Sequence, residues 1–296
     1  MSQPVNNVSD CALVLEGGGY RGAFTAGIIS VLLEEGIQFP YACGLSAGAS
    51  NVVNYVAGNQ KRIRMAFVEI ASLPGNGGIG TFLRGKGYYN ADFLYEGCVD
   101  HELAPFDWEG FQNNPCKLRI QAFERDTGRT VTFTKDDMTD KLTLVKLVRA
   151  SSTVPWLMNP LTINGQVLVD GGLGEGGGIP VRLAEMDGYE KFFCVMTRVH
   201  GYRKNPDQGT MGKGIDRLAR KYPHLRKALA TRPERYNKEL TRLERMAKEG
   251  RALLVYPNEM PISSTTLDPE ALAAVFDAAK EQARRELPRW KEFLFG

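Results

Sequence analysis

At 296 residues, 43% hydrophobic and 24% charged, the chain has the composition of a globular protein with one large domain, or one domain and an appendage, which excludes disordered and fibrous classes. No apolar run approaches the roughly 18 residues that span a bilayer, and residues 1–10 lack the basic start and apolar core of a secretory signal. The net charge of +3 is small, and five scattered cysteines without C-x-x-C spacing fit reduced thiols in a cytoplasmic protein better than disulfides or a zinc site.

Residues 12–16 predict an apolar strand that runs into Gly17-Gly18-Gly19. Phe24, Ile28, Val31 and Leu32 then recur at helical spacing, and Gly36 ends that helix. Tyr41-Ala42-Cys43 reads as the end of a buried strand, and residues 49–57 as a helix with Val52, Val53 and Val56 on one side. Between them stands Gly44-Leu45-Ser46-Ala47-Gly48. Residues 74–87, rich in glycine, predict a loop with little structure of its own. Residues 117–123 and 130–133 predict a hairpin turning at Asp126-Thr127-Gly128, and residues 142–150 a short helix. Residues 167–169 predict a buried strand ending at Asp170-Gly171-Gly172, and residues 192–196 a further strand. This alternation predicts an α/β layered sheet with its site at the carboxyl ends of the strands.

From about Lys213 the character changes: residues 213–251 carry 13 Lys/Arg against 5 Asp/Glu, a surplus of +8, while the rest of the chain is −5. Thr231-x-x-Glu234, with Pro233 in the first turn, predicts a capping box opening a helix whose apolar face is Tyr236, Leu240 and Leu243, up to Gly250. Residues 252–256 predict one more strand. A last helix is expected from Asp268-Pro269, stapled by Leu267 and Leu272, to about Leu287 before Pro288.

A serine on a sharp strand-to-helix turn presents its hydroxyl at the sheet's edge beside free backbone N–H groups, and Gly44 and Gly48 permit the close approach such a turn needs. The glycine cluster Gly17-Gly18-Gly19-Tyr20-Arg21-Gly22 admits three readings. Its N–H groups could form an oxyanion hole. Gly17-x-Gly19-x-x-Gly22 also fits a dinucleotide fingerprint, with Glu34 or Glu35 as a loose match to its ribose-binding acid. The third reading is a tight turn without function. Placement counts against the nucleotide reading, because that acid should end a second strand and these two close the first helix.

Asp170 ends an apolar strand, a common structural turn. Partial desolvation in a cleft would also strengthen it as a base for Ser46. Of the three histidines, His101 lies in an acidic stretch and His224 in the basic region, which leaves His200 as the one placed where a triad histidine could stand. A lone loop histidine is more often a surface residue, which favours a Ser–Asp pair.

The motifs Gly17-Gly18-Gly19-Tyr20-Arg21-Gly22, Gly44-Leu45-Ser46-Ala47-Gly48 and Asp170-Gly171-Gly172, in this order, resemble the patatin-like phospholipases, in a bacterial branch. Ala150-Ser151-Ser152-Thr153-Val154-Pro155 and Ile179-Pro180-Val181 resemble the segments flanking the family's aspartate. The resemblance implies a three-layer αβα sandwich with a mainly parallel sheet, and a lipid acyl hydrolase without metal or cofactor. It implies Ser46 as nucleophile and Asp170 as base. Gly17, Gly18 and Gly19 would supply the oxyanion hole, helped by Ala47, with Arg21 holding the loop and Gly22, Gly44, Gly48, Gly171 and Gly172 in support. The chain departs from the pattern between Asp170 and Ile179, where relatives place Asn or Asp before Ile-Pro, so a less firmly held loop is expected there.

The resulting division is a hydrolase core at residues 10–205 and a basic, mostly helical region at 206–296 packed on it. Residues 213–251 either dock on an anionic membrane, at the inner face of a cytoplasmic enzyme's membrane, or are a solvated helical face. Nucleic acid is not expected as a partner, since no module for it is present. The alternative to an esterase is a nucleotide- or phosphate-binding α/β domain built on the Gly17–Gly22 loop.

Overall fold

Short, mostly apolar runs build the sheet of this computed structural model, which describes residues 5–205 and 219–296. β1 (Cys11–Leu15) and β2 (Tyr41–Leu45) are buried throughout, as parallel strands covered on both faces must be. β3 (Lys117–Glu124) lies parallel to β2, and β4 (Thr130–Thr134) returns antiparallel on β3. β5 (Leu161–Ile163) and β6 (Gln166–Val169) form a hairpin, and β6 is antiparallel to β3. β7 (Lys191–Val195) and β8 (Ala252–Val255) extend the parallel set beyond β1. The order is β5-β6-β3-β2-β1-β7-β8, with β4 attached to β3.

The register around β3 decides where the site lies. Cys43, Gly44 and Leu45 of β2 face Arg119, Ile120 and Gln121, and the same three residues pair with β4, so β2 and β4 occupy opposite edges of β3. Phe123 pairs with Thr130 of β4 and with Val169 of β6, so β6 shares β2's edge. β2 and β6 therefore approach each other end to end along one side of β3. The residues that follow them are Ser46 and Asp170.

Helices cover both faces. α1 (Gly22–Glu34), α2 (Ala47–Ala57), α3 (Gln60–Phe67), a short α4 (Ile79–Leu83), α5 (Trp108–Asn113) and α6 (Lys141–Ser152) are joined by α7 (Val181–Met186), α8 (Pro223–Lys248) and α9 (Pro269–Phe295). The larger core packs α1, α2, α6 and α9 on one face, and the smaller sets Val181, Leu183, Tyr236, Leu240 and Leu243 from α7 and α8 on the other. The architecture is the expected three-layer α/β fold with a mainly parallel sheet. β8 adds a strand to that sheet and α9 lies against α1, so the C-terminal stretch contributes to every layer. No helix of the described residues is long and apolar enough to cross a membrane. All five cysteines are free and buried.

Three local expectations need correction. The helix expected at Thr231 begins at Pro223, and the Thr231 hydroxyl donates to the carbonyl of Lys227 as an interior residue rather than as a cap. The last helix runs through Pro288 to Phe295. Trp290 and Leu294 are buried beyond that proline, Trp290 edge-on to Phe193 at 5.2 Å. Burying each contributes about 2 kcal/mol, together enough to offset the roughly 3 kcal/mol of an interior proline. Residues 74–87 are not a bare loop: they contain α4 and are fastened by bridges Gly77–Tyr89 and Gly87–Met158. β5 is an addition, which no expectation included.

Candidate active site

Ser46 stands between β2 and α2 with its backbone at φ 54°, ψ −128°. A positive φ is unfavourable for a residue bearing a Cβ and stores about 1–3 kcal/mol. The flanking glycines make the turn feasible: a Cβ on Gly44 would overlap the carbonyl of Gly48, and one on Gly48 the carbonyl of Leu15.

The end of α6 clips both strand ends. The Ser46 N–H donates to Ser151 Oγ at 2.9 Å, and that hydroxyl donates to the carbonyl of Gln121 at 2.6 Å. Two residues on, the carbonyl of Thr153 accepts from the Asp170 N–H at 2.8 Å. The small-residue segment 150–155 thus holds the two residues in relation, a role the sequence reading did not assign. Replacing Ser151 by alanine leaves the buried Ser46 N–H unpaired, so stability should fall by about 1–3 kcal/mol. We expect the turnover number to fall with it while KM changes little, measured by urea denaturation and ester kinetics.

Asp170 Oδ1 accepts from the Gly172 N–H at 2.8 Å, which fixes the carboxylate over its own turn. A Cβ on Gly172 would stand 2.8 Å from that oxygen and 2.7 Å from Arg232 Nη2, so the aspartate and the arginine are close neighbours. The glycine-rich loop after Asp170 is firmly held, contrary to expectation. Gln121 Nε2 donates to the carbonyls of Gly171 and Glu175, Arg232 Nε to Gly177, and Arg235 Nη1 to Leu173 and Gly174. Two arginines of the basic stretch are therefore spent on loop carbonyls.

Among the described residues, the N–H groups of Gly18, Gly19 and Ala47 donate to no protein acceptor, whereas the Gly17 N–H donates to Gly178 at 3.1 Å. Gly17 is thus removed from the expected oxyanion donors. Its carbonyl accepts from Thr197 Oγ1, and the Tyr20 N–H is tied to Ser264, so the loop is pinned on both sides. Arg21 makes no hydrogen bond to the loop it was expected to hold. Its guanidinium lines the cavity instead, with its Nε unpartnered, and burial beside Arg198 lowers its pKa to about 10.

Ser46, Asp170, Gly18, Gly19 and Ala47 open on one cavity of about 580 Å³, within the range of small-molecule sites. One wall is apolar, with Val53, Phe67, Leu94, Phe106, Leu144 and Val148. Tyr95 lines the same cavity. It is hydrogen-bonded to Ser152 and Ser50, and burial, with Asp170 adding to it, pushes its hydroxyl up to about 12. The other wall carries Glu16, Arg198, Lys204, Arg232 and Tyr236.

None of the three histidines lines the cavity; His200 is exposed with its ring against Tyr256. Glu34 and Glu35, the candidate ribose acids, close the far end of α1 and pair with Lys280, Arg284 and Lys291. The glycine loop therefore lacks the partner a dinucleotide site needs.

A family model described as Patatin-like phospholipase matches residues 13–184, and another, Domain of unknown function (DUF6363), matches residues 222–295. The uncharacterized protein YjjU of Escherichia coli (strain K12) is 25% identical over 197 residues, 63% of this chain and 51% of that protein. The chain thus spans about half the length of this curated relative. The crystal structure of VipD from Legionella pneumophila is similar with a TM-score of 0.51 at 13% identity, covering 95% of this chain and 67% of that one. That likeness is one of fold.

Proposed function

The chain belongs to the patatin-like phospholipases, a family of lipid ester hydrolases, and from this premise we propose that it cleaves carboxylic esters of lipids with Ser46 as nucleophile and Asp170 as base. The observation that carries the reading is the end-to-end approach of β2 and β6, which turns a strained serine and a fixed carboxylate toward one cavity.

Ser46 Oγ attacks the ester carbonyl as Asp170 takes the hydroxyl proton. The oxyanion accepts from the free N–H groups of Gly18, Gly19 and Ala47. The C–O bond to the alcohol then breaks, Asp170 returns the proton to that oxygen, and an acyl-enzyme remains. Water gives its proton to Asp170 and attacks the acyl carbon, and Ser46 leaves with that proton as the fatty acid departs. The apolar wall fits the acyl chain. The substrate is a phospholipid, lysophospholipid or simple ester of this type.

The exposed cations of α8, among them Lys227, Lys238 and Lys248, are the groups left to meet an anionic membrane. Salt-sensitive co-sedimentation with anionic vesicles, absent with neutral ones, tests that docking.

A fluorophosphonate probe should label the protein at one residue, Ser46, and fail on Ser46→Ala. Absence of labelling together with a rise in melting temperature on adding NAD or ATP would instead favour the nucleotide-binding alternative.

A further inference from the structure

We propose that Arg198, Lys204 and Arg232 form a subsite for the phosphate of a lipid headgroup and make this hydrolase prefer headgroups of net negative charge over zwitterionic ones. The inference rests on the ester-hydrolase reading of the cavity and adds the class of lipid it takes.

The polar wall gathers Arg21, Arg198, Lys204 and Arg232, against Glu16 and Asp170 as the carboxylates of the lining. Glu16 is already engaged: its carboxylate accepts from the Thr197 N–H at 2.5 Å and from the Tyr236 hydroxyl at 2.8 Å. Among the described residues no ion pair reaches Arg198, Lys204 or Arg232. Three like charges converging in a cavity repel one another, an arrangement that an anion relieves.

Their positions are prepared in advance. The Arg198 guanidinium lies 4.4 Å from the Tyr202 ring centre, and Lys204 Nζ lies 4.4 Å from that of Tyr236. The Asn237 side chain holds Lys204 by both its N–H and its carbonyl, each at 2.8 Å. Arg232 spends Nε on the carbonyl of Gly177 at 3.1 Å and keeps its outer nitrogens beside the Asp170 turn. Guanidinium forks match phosphate oxygens two at a time, and an ammonium adds a point charge. The cations and the apolar wall share one cavity with Ser46, so the occupant carries an acyl chain and an anion together. A choline or ethanolamine group would bring a further cation into the same field.

Lys204 reports on the subsite. Burial lowers its pKa to about 7, with Arg232, Arg198 and Arg21 acting in the same direction and Glu16 opposing. The groups facing it are Arg198 and Tyr202 from its own segment, Arg232 and Tyr236 from α8, Arg21 before α1, and Glu16 after β1. An anion favours the protonated lysine, so anion affinity is highest below pH 7 and weakens as the lysine loses its proton.

The test uses dihexanoyl phosphatidylglycerol and dihexanoyl phosphatidylcholine as monomers, so that no membrane surface contributes. The wild type should favour the glycerol lipid in kcat/KM by about tenfold or more. Arg198→Gln with Lys204→Gln should bring the ratio toward one through KM. KM for the glycerol lipid should rise from about pH 6 to about pH 8 in the wild type and stay flat in Lys204→Arg, which keeps the charge. The same preference should appear in binding to Ser46→Ala, which needs no turnover. Preferential binding without any hydrolysis would sink the hydrolase reading and leave the subsite standing, whereas hydrolysis without preference would sink the subsite alone. The subsite also falls if Lys238→Gln with Lys248→Gln lowers the ratio as much. Equal stabilisation of Ser46→Ala by inorganic phosphate and by the lipid would assign the cations to a free anion and overturn the headgroup.

Discussion

Asp170→Asn will leave a folded protein that hydrolyses esters about 10²–10⁴ times more slowly, the range expected for losing a general base. The substitution isolates the proposed proton-accepting role. An asparagine Oδ1 can still accept from the Gly172 N–H as the aspartate does at 2.8 Å, and the Asp170 N–H keeps its bond to Thr153. The turn is therefore retained, and the melting temperature should move by no more than about 3 °C. His200→Ala supplies the contrast. Its ring packs on Tyr256 outside the cavity, so hydrolysis should stay within about twofold. Paired kcat measurements on purified variants decide the matter, and a histidine variant as slow as Asp170→Asn would replace the dyad with a triad.

The sheet was legible wherever apolar runs were long and flanked by glycine, because strands buried on both faces leave no other pattern. The β5–β6 hairpin was not read, although a signal for it exists. Asn164-Gly165, both with positive φ, is the two-residue turn that joins β5 to β6 and makes them antiparallel. The direction of β6 along β3, which that turn does not set, is what matters for the site, since a β6 parallel to β3 would carry Asp170 away from Ser46. The two internal prolines misled for the opposite reason. Each marks a local breaker that tertiary burial overrides, around Leu225 and Tyr236 in one helix and Trp290 in the other.

The site divides in the same way. The candidate residues in contiguous motifs, Ser46, Asp170 and the glycine loop, which share one cavity, are legible by eye. The commitment of the Gly17 N–H to Gly178 could not, because it depends on a loop more than 150 residues away in the chain. Arg198, Lys204 and Arg232 carry no motif at all and meet only because α8 crosses the face of the sheet beneath β7's exit. The +8 stretch reads as an outward face, either membrane-docking or solvated, yet Arg232 and Arg235 turn inward to hold the loop behind Asp170. Charge counted along a sequence says nothing about which side of a helix it occupies.

Gly48→Ala should be far more damaging than Gly58→Ala, although each adds a single methyl to the same helix. Both glycines belong to α2, one in its first turn and one just past its end. Gly58 has φ 73° and nothing within 4 Å of a Cβ, so alanine there meets only conformational strain, about 1 kcal/mol. At Gly48 the methyl would overlap the backbone carbonyl of Leu15, with Glu16 O at 3.0 Å. Leu15 cannot yield, because β1 is bonded to β2 on one side and β7 on the other. The start of α2 must move instead, taking the Ala47 N–H and the Ser46 backbone with it. We expect a loss of about 3 kcal/mol or more, at the upper end of overpacking, seen as a lower urea midpoint at unchanged slope. Fluorophosphonate labelling of the protein that remains folded should slow by at least about tenfold, because the proposed nucleophile and oxyanion donor are displaced together. Equal losses of stability at Gly48 and Gly58 would show that the elbow tolerates a side chain, and the steric account of the Gly-x-Ser-x-Gly turn would then fail.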